Sequence, residues 1–152
     1  MKLKYGINPH QSFAEVVPLD PASQPLALLN GNPSYINLLD AVNAWQLVRE
    51  AKLATGLAAA ASFKHVSPAG AALAVPLAPE LARAYEVEGQ ELTPAALAYV
   101  RARGADPKCS FCDFAALSEV VDYATASFLA GVVSDGVIAP GFAPTALEKL
   151  RA

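Results

Sequence analysis

The sequence predicts an α/β layered domain whose sheet is at least partly parallel. Two observations carry the prediction. Short apolar runs, LAAAASF at residues 57–63, FAALS at 114–118 and GVIAPG at 136–141, alternate with stretches of helical spacing, the order that lays helices on a sheet. The length, 152 residues with 54% of them hydrophobic, suits one domain with a sizeable core.

Residues 1–32 read as irregular, rich in proline and asparagine, with a short strand expected over 13–17. Ser34 opens the first helix as its N-cap. Leu38, Val42, Trp45 and Val48 then recur one turn apart, leaving Asp40 and Asn43 on other faces, and Gly56 is the C-terminal stop. The run at 57–63 reads as a buried strand although its alanines are poor strand formers. Ser67, Pro68 and Gly70 are expected to break that strand and to supply its turn. A short helix is expected over 79–85. Thr93 and Pro94 start another, as cap and first-turn residue, with Gly104 as its stop. Residues 114–118 give a second strand, 124–130 a helix and 136–141 a third strand ending in a turn. A last helix opens at Pro144 and runs out at Ala152 without a cap or a glycine. Ligands of such sheets bind beyond the carboxyl ends of strands. Lys64-His65 and Pro140-Gly141 both follow strands, and they share an edge if those strands are parallel neighbours.

Composition excludes several classes. The charged fraction is 16% and the net charge −3, with lysine and arginine scattered, so duplex DNA or RNA is not an expected partner. So lightly charged a surface favours contact with another chain or segment. No apolar run approaches a membrane span, and Lys-Leu-Lys-Tyr after Met1 is not a signal sequence. The two cysteines, Cys109 and Cys112, are too close for a framework disulfide. A cytoplasmic location is the default expectation.

Three stretches could carry chemistry. In SFKHVSPAGAA, residues 62–72, an imidazole that can take and pass a proton stands beside a fixed cation able to stabilise an oxyanion. Lys64 and His65 reach one ligand only if the backbone turns there, because neighbours on a strand point to opposite faces. The alternative is a lysine and a histidine fraying into solvent, the commoner meaning of such a pair. In KYGINPHQ, residues 4–11, Lys4 and Tyr5 could grip a phosphate while Asn8 and His10 hydrogen-bond a ligand or the fold; a polar tail is the plainer reading. CSFC, residues 109–112, has the gap of metal and redox sites. With His65 it would match the ligand set of a zinc nucleobase deaminase. That pattern needs an acid one residue beyond the histidine and a proline before the first cysteine; Ser67 and Lys108 stand there. No metal is therefore expected, and two buried, inert cysteines are the reading kept. Asp135, before Gly136, is a turn carboxylate or a ligand contact.

KYGINPHQ, LLNGNPSYINLLDAVNAWQLV, AAASFKHVSPAGAA, RARGADPKCSFCDFAALS and VVSDGVIAPGF occur in this order along the chain, and together they resemble AICAR transformylase, the formyltransferase part of a bifunctional purine-synthesis enzyme that also carries an IMP cyclohydrolase. The resemblance covers nearly the whole chain. It implies a three-layer α/β/α, cytidine deaminase-like fold with a mixed sheet. It implies formyl transfer from the co-substrate 10-formyltetrahydrofolate to the 5-amino group of AICAR in IMP synthesis, without a metal. The family's histidine that acts on the amine proton matches His65, and its transition-state lysine matches Lys64. Its nucleotide contacts fall on Lys4, Tyr5, Asp135 and Asn37, with Cys112 in the turn that approaches the nucleotide.

The chain departs from the family at Lys4, where arginine is usual, at Cys112, where glycine is usual, and at Cys109, where serine is usual. A lysine makes a point-charge contact in place of a bidentate one. A side chain at 112 could crowd the ligand if the backbone there needs positive φ. The family's cyclohydrolase domain and second transformylase lobe, which carries the folate site, are expected to be missing from this chain, and the family's active sites form across a homodimer. Residues 1–152 are thus expected to be a single domain, the first transformylase lobe, incomplete alone and completed by a homodimer or the missing lobe. The alternative is a non-catalytic nucleotide-binding or dimerisation module of the same fold.

Overall fold

A computed structural model describes every residue except Gln24. The elements are α1 (Tyr35–Thr55), β1 (Ala59–Lys64), β2 (Ser67–Leu73), α2 (Pro79–Ala84), α3 (Pro94–Ala105), β3 (Asp113–Leu117), α4 (Tyr123–Ala130), β4 (Ser134–Ile138) and α5 (Pro144–Arg151). The four strands form one mixed sheet in the order β2-β1-β3-β4. β1 runs antiparallel to both β2 and β3, while β3 and β4 are parallel and joined through α4.

The alanines of β1 are explained by its position. Helices cover both faces of this central strand, so small side chains let them approach. Ala59, Ala61 and Phe63 meet Ala44 and Val48 of α1, with Ala116 of β3 beside them. Ala60 faces the other way, toward Ala98, Tyr99 and Ala102 of α3, and joins Leu117 of β3, Leu129 of α4 and Ala146 of α5. This period-2 alternation splits the core into two clusters and makes three layers, α/β/α. Full burial of one such side chain, Leu117 or Val48, stabilises the fold by about 1.5–3 kcal/mol. The edge of the Tyr99 ring meets the Phe128 ring at 5.9 Å and 82°, tying α3 to α4.

Helix boundaries follow local chemistry. Ser34 and Asn37 form a reciprocal capping box at the start of α1, and Gly56 ends it at φ 72°. Thr93 and Asp122 cap α3 and α4 by accepting from Ala96 N–H and Thr125 N–H. Gly104 does not stop α3, which continues to Ala105. A Cβ on Gly104 would lie 2.5 Å from the Tyr85 ring, so glycine stands there for packing.

The larger correction concerns the residues after β1. Ser67, Pro68 and Gly70 do not turn the chain; they lie in β2, paired with β1. β2 is an edge strand, where a proline removes no needed ladder donor, and the register shifts beside Pro68. Gly70 admits α3, since a Cβ there would come 2.1 Å from the Ala102 carbonyl oxygen. The expected strand over 13–17 is a single bridge, Lys2 with Glu15, within an N-terminal stretch that is otherwise irregular; residue 24 of that stretch lies outside the described residues. Among the described residues no helix is long and apolar enough to cross a membrane.

Candidate functional site

His65 and Val66 are the whole connection between β1 and β2. Both have positive φ, 54° and 62°, as a two-residue type I′ hairpin turn requires. Asn-Gly is the usual pair in such turns. A β-branched valine in the left-handed region is strained by about 1–2 kcal/mol, so its surroundings must hold it. The backbone therefore does turn at the lysine-histidine pair, at that pair itself and not three residues later.

The antiparallel pairing of β1 with β3 sets what faces this turn. The carboxyl end of β1 lies at the start of β3 and of its parallel neighbour β4. Lys64 and His65 thus share an edge with Cys112 and Asp135; Pro140 and Gly141 follow the far end of β4, on the opposite edge. The Lys64 ammonium donates to the carbonyl of Phe111. Cys112, next in the chain, donates its N–H to Val133 O at 3.1 Å, which joins the 109–112 turn to the approach of β4. Cys112 has φ 58°, so its backbone is in the shape where the resembled family has glycine. Neither cysteine is buried: Cys109 is exposed and Cys112 half-buried. The Cys109 thiol is pushed above its ordinary value by its hydrogen bond and charge contact with Asp106, which leaves it a weak nucleophile.

Asp40 faces inward, not away as its place in the helical pattern suggested. Only 6% exposed, it accepts the Val66 N–H at 2.5 Å through Oδ1. Burial raises its carboxyl above the ordinary aspartate value; the Val66 amide and the charge of His65 pull it down, and the Asp135 charge pushes it up. Asn37 and Asp135 line one cleft of about 520 Å³, with Lys149 and Arg151 on its α5 side and Pro33 in its wall. Lys4 donates its backbone N–H to Pro33 O at 2.9 Å, which brings the exposed Lys4 and half-buried Tyr5 alongside that wall. Asn37 also has a structural task, since its Oδ1 accepts the Ser34 N–H at 3.0 Å.

Behind the hairpin lies a polar network that sequence patterning missed. Asp113, fully buried, accepts from Ser62 Oγ at 2.6 Å, Tyr99 OH at 2.9 Å and an Arg103 nitrogen at 2.9 Å. Ser62 Oγ, its own proton given to Asp113, accepts from Ser110 Oγ at 2.8 Å, and Arg103 donates to Ser110 O at 2.7 Å. Ser62 is two residues before Lys64 and Asp113 follows Cys112, so the network braces both turns of the site. Burial and the neighbouring Asp113 charge push the Tyr99 phenol well above its usual value, keeping it a donor. Among the described residues no three histidine, cysteine or acidic side chains gather as a metal site would need.

Comparison with known proteins agrees along the whole chain. Residues 1–152 match the family model described as the AICARFT/IMPCHase bienzyme. The bifunctional purine biosynthesis protein PurH of Sorangium cellulosum is 35% identical over 155 residues, covering 98% of this chain and 26% of that protein. PurH of Chloroflexus aurantiacus is 36% identical over 150 residues, with 98% and 25% covered. PurH of Synechococcus elongatus is 35% identical over 153 residues, with 99% and 26% covered. The chain thus spans about a quarter of the length of these relatives.

Proposed function

Because this chain belongs to the AICARFT/IMPCHase bienzyme family, we propose that it is the first lobe of an AICAR transformylase, transferring a formyl group from 10-formyltetrahydrofolate to the 5-amino group of AICAR. The observation that carries the reading is the left-handed His65-Val66 turn, which presents Lys64 and His65 together at the sheet edge shared with Cys112 and Asp135.

The chemistry fits the two side chains. The arylamine of AICAR is a weak nucleophile. As its nitrogen bonds to the formyl carbon, His65 takes one amine proton, and the carbonyl electrons move to oxygen. Lys64 stabilises that oxyanion. When the tetrahedral centre collapses, the bond to the folate nitrogen breaks and that nitrogen takes up a proton, leaving formylated AICAR and tetrahydrofolate. The Phe111 carbonyl that holds the Lys64 ammonium keeps it extended along the edge until a more negative oxygen arrives. Lys4, Tyr5 and Asn37 hold the nucleotide beside the cleft, with Asp135 across it. Folate binding and full turnover require the second lobe, from a partner chain or a homodimer.

A second reading, a nucleotide-binding or dimerisation module without activity, is favoured by one observation. Cys112 places a side chain on a left-handed backbone, φ 58°, at the turn expected to approach the nucleotide. Adding the second transformylase lobe of a PurH relative as a separate chain decides between them. Turnover of AICAR with 10-formyltetrahydrofolate that vanishes in Lys64→Ala and His65→Ala supports the lobe. AICAR binding without turnover in the mixed sample supports the module.

A further inference from the structure

Lys64 and His65 leave the sheet from a turn that valine resists, and the turn's own ladder does not hold it. In a two-residue hairpin the central amides point away from the strand pairing, so the Val66 N–H needs an acceptor from elsewhere. That acceptor is Asp40, from the helix layer that packs on the sheet. We propose that Asp40 is the positioning residue of the Lys64–His65 turn: its buried carboxylate fixes the Val66 amide and so the direction in which the lysine and the imidazole leave the sheet.

Three features of the site converge on this role. Asp40 lies within α1, where aspartate has no advantage as a helix former, and it is 6% exposed although burial of a carboxylate is unfavourable unless it is partnered. Its Oδ1 accepts the Val66 amide at a residue whose positive φ, 62°, a β-branched side chain disfavours. The Val66 N–H to Oδ1 bond ties α1 to the turn through a single side chain, and the charges of His65 and Asp135 act on the same carboxyl. Asn37, three residues earlier on the same helical face, lines the cleft. The residue that orients the reacting pair and the residue expected to touch the nucleotide are thus on one rigid element.

What the turn is used for rests on the transformylase reading; that Asp40 sets the turn does not. The test compares the full chain with Asp40→Asn, Asp40→Ala, Val66→Gly and the pair Asp40→Ala/Val66→Gly. Amide hydrogen exchange at residue 66 is followed by NMR and AICAR affinity by calorimetry. Asp40→Ala should lose at least about tenfold in Val66 protection and weaken AICAR by about tenfold, with the amides of α3 still protected. Asp40→Asn, which keeps an acceptor oxygen, should recover most of both. In the Val66→Gly background the turn adopts its shape without strain, so removing Asp40 should weaken AICAR by less than about threefold; this pair also serves if Asp40→Ala does not fold. Unchanged Val66 protection in a folded Asp40→Ala chain overturns the proposal, as does an equal loss of AICAR affinity in both backgrounds. If the parent chain binds no AICAR, the transformylase reading falls while residue 66 protection still decides the role of Asp40.

Discussion

Replacing Asp113 by alanine should destabilise the chain as much as truncating a large apolar core residue. Its carboxylate is fully buried and gathers a serine from β1 and a tyrosine and an arginine from α3. The ion pair with Arg103, N to O 2.9 Å, has side-chain exposures of 12% and 0%, so solvent screens it little. Alanine leaves the guanidinium buried without its counter-charge and takes the acceptor from Tyr99 OH. Ser62 keeps Ser110. Breaking a buried pair of this kind costs about 3–5 kcal/mol. With a urea dependence of about 2 kcal/mol per molar for a domain of this size, the unfolding midpoint should fall by about 2 M. The double variant Asp113→Leu/Arg103→Met should recover about 2 kcal/mol or more of the loss, since apolar replacement of a buried pair is often neutral. Equilibrium urea unfolding followed by circular dichroism reads both numbers. A loss below about 1 kcal/mol for Asp113→Ala would refute the reasoning, because it would place the pair with exposed ones.

Cys112→Gly should stabilise the chain by up to about 1 kcal/mol by relieving a left-handed backbone at φ 58°, measured in the same urea titration; it should also tighten AICAR if the side chain crowds the nucleotide. Gly70→Ala should destabilise by about 3 kcal/mol or prevent folding, since its Cβ would meet the Ala102 carbonyl oxygen of α3 at 2.1 Å. Asp40 gives a pH signature. Its raised folded value means that the folded chain binds this proton more tightly than the unfolded one, so its contribution is greatest below about 3.8, the ordinary value. That stability is lost as pH rises from there through the raised value. Relative to Asp40→Asn, the parent should therefore lose stability over that window and hold a constant difference at higher pH; a difference that does not change with pH contradicts the buried-carboxylate account.

The layered α/β plan was legible because its cues are local. Ser34, Thr93 and Gly56 punctuate helices by their own hydrogen bonds and backbone freedom, and the apolar runs mark strands covered on both faces. The hairpin was not. Pro68 and Gly70 usually break strands, and their place in β2 depends on its being the sheet edge and on α3 pressing against Gly70, neither of which the local sequence carries. Nor does Val66 announce a left-handed turn, because that shape is imposed from α1 by Asp40. Asp40 itself looked like an outward polar residue in a helical pattern; its partner is 26 residues away. The Asp113 network was hidden for the same reason, since Ser62, Tyr99 and Arg103 converge only after β1, α3 and β3 have packed. Lys64 and His65 stand out in the sequence by type and order, and Cys112, as part of the site, only through the family resemblance; in the structure the three lie along one edge with Asp135. The opposite position of Pro140 and Gly141 follows from the antiparallel β1–β3 pairing, which neither strand's composition reveals.

The central claim, that the edge carrying Lys64 and His65 is a site for AICAR, is tested most directly by calorimetric titration of AICAR into the full chain beside its His65→Ala variant. The account predicts saturable binding by the parent that is weakened in a variant of unchanged fold. A folded parent that takes up no AICAR, or a variant that binds it identically, would contradict the assignment of this edge.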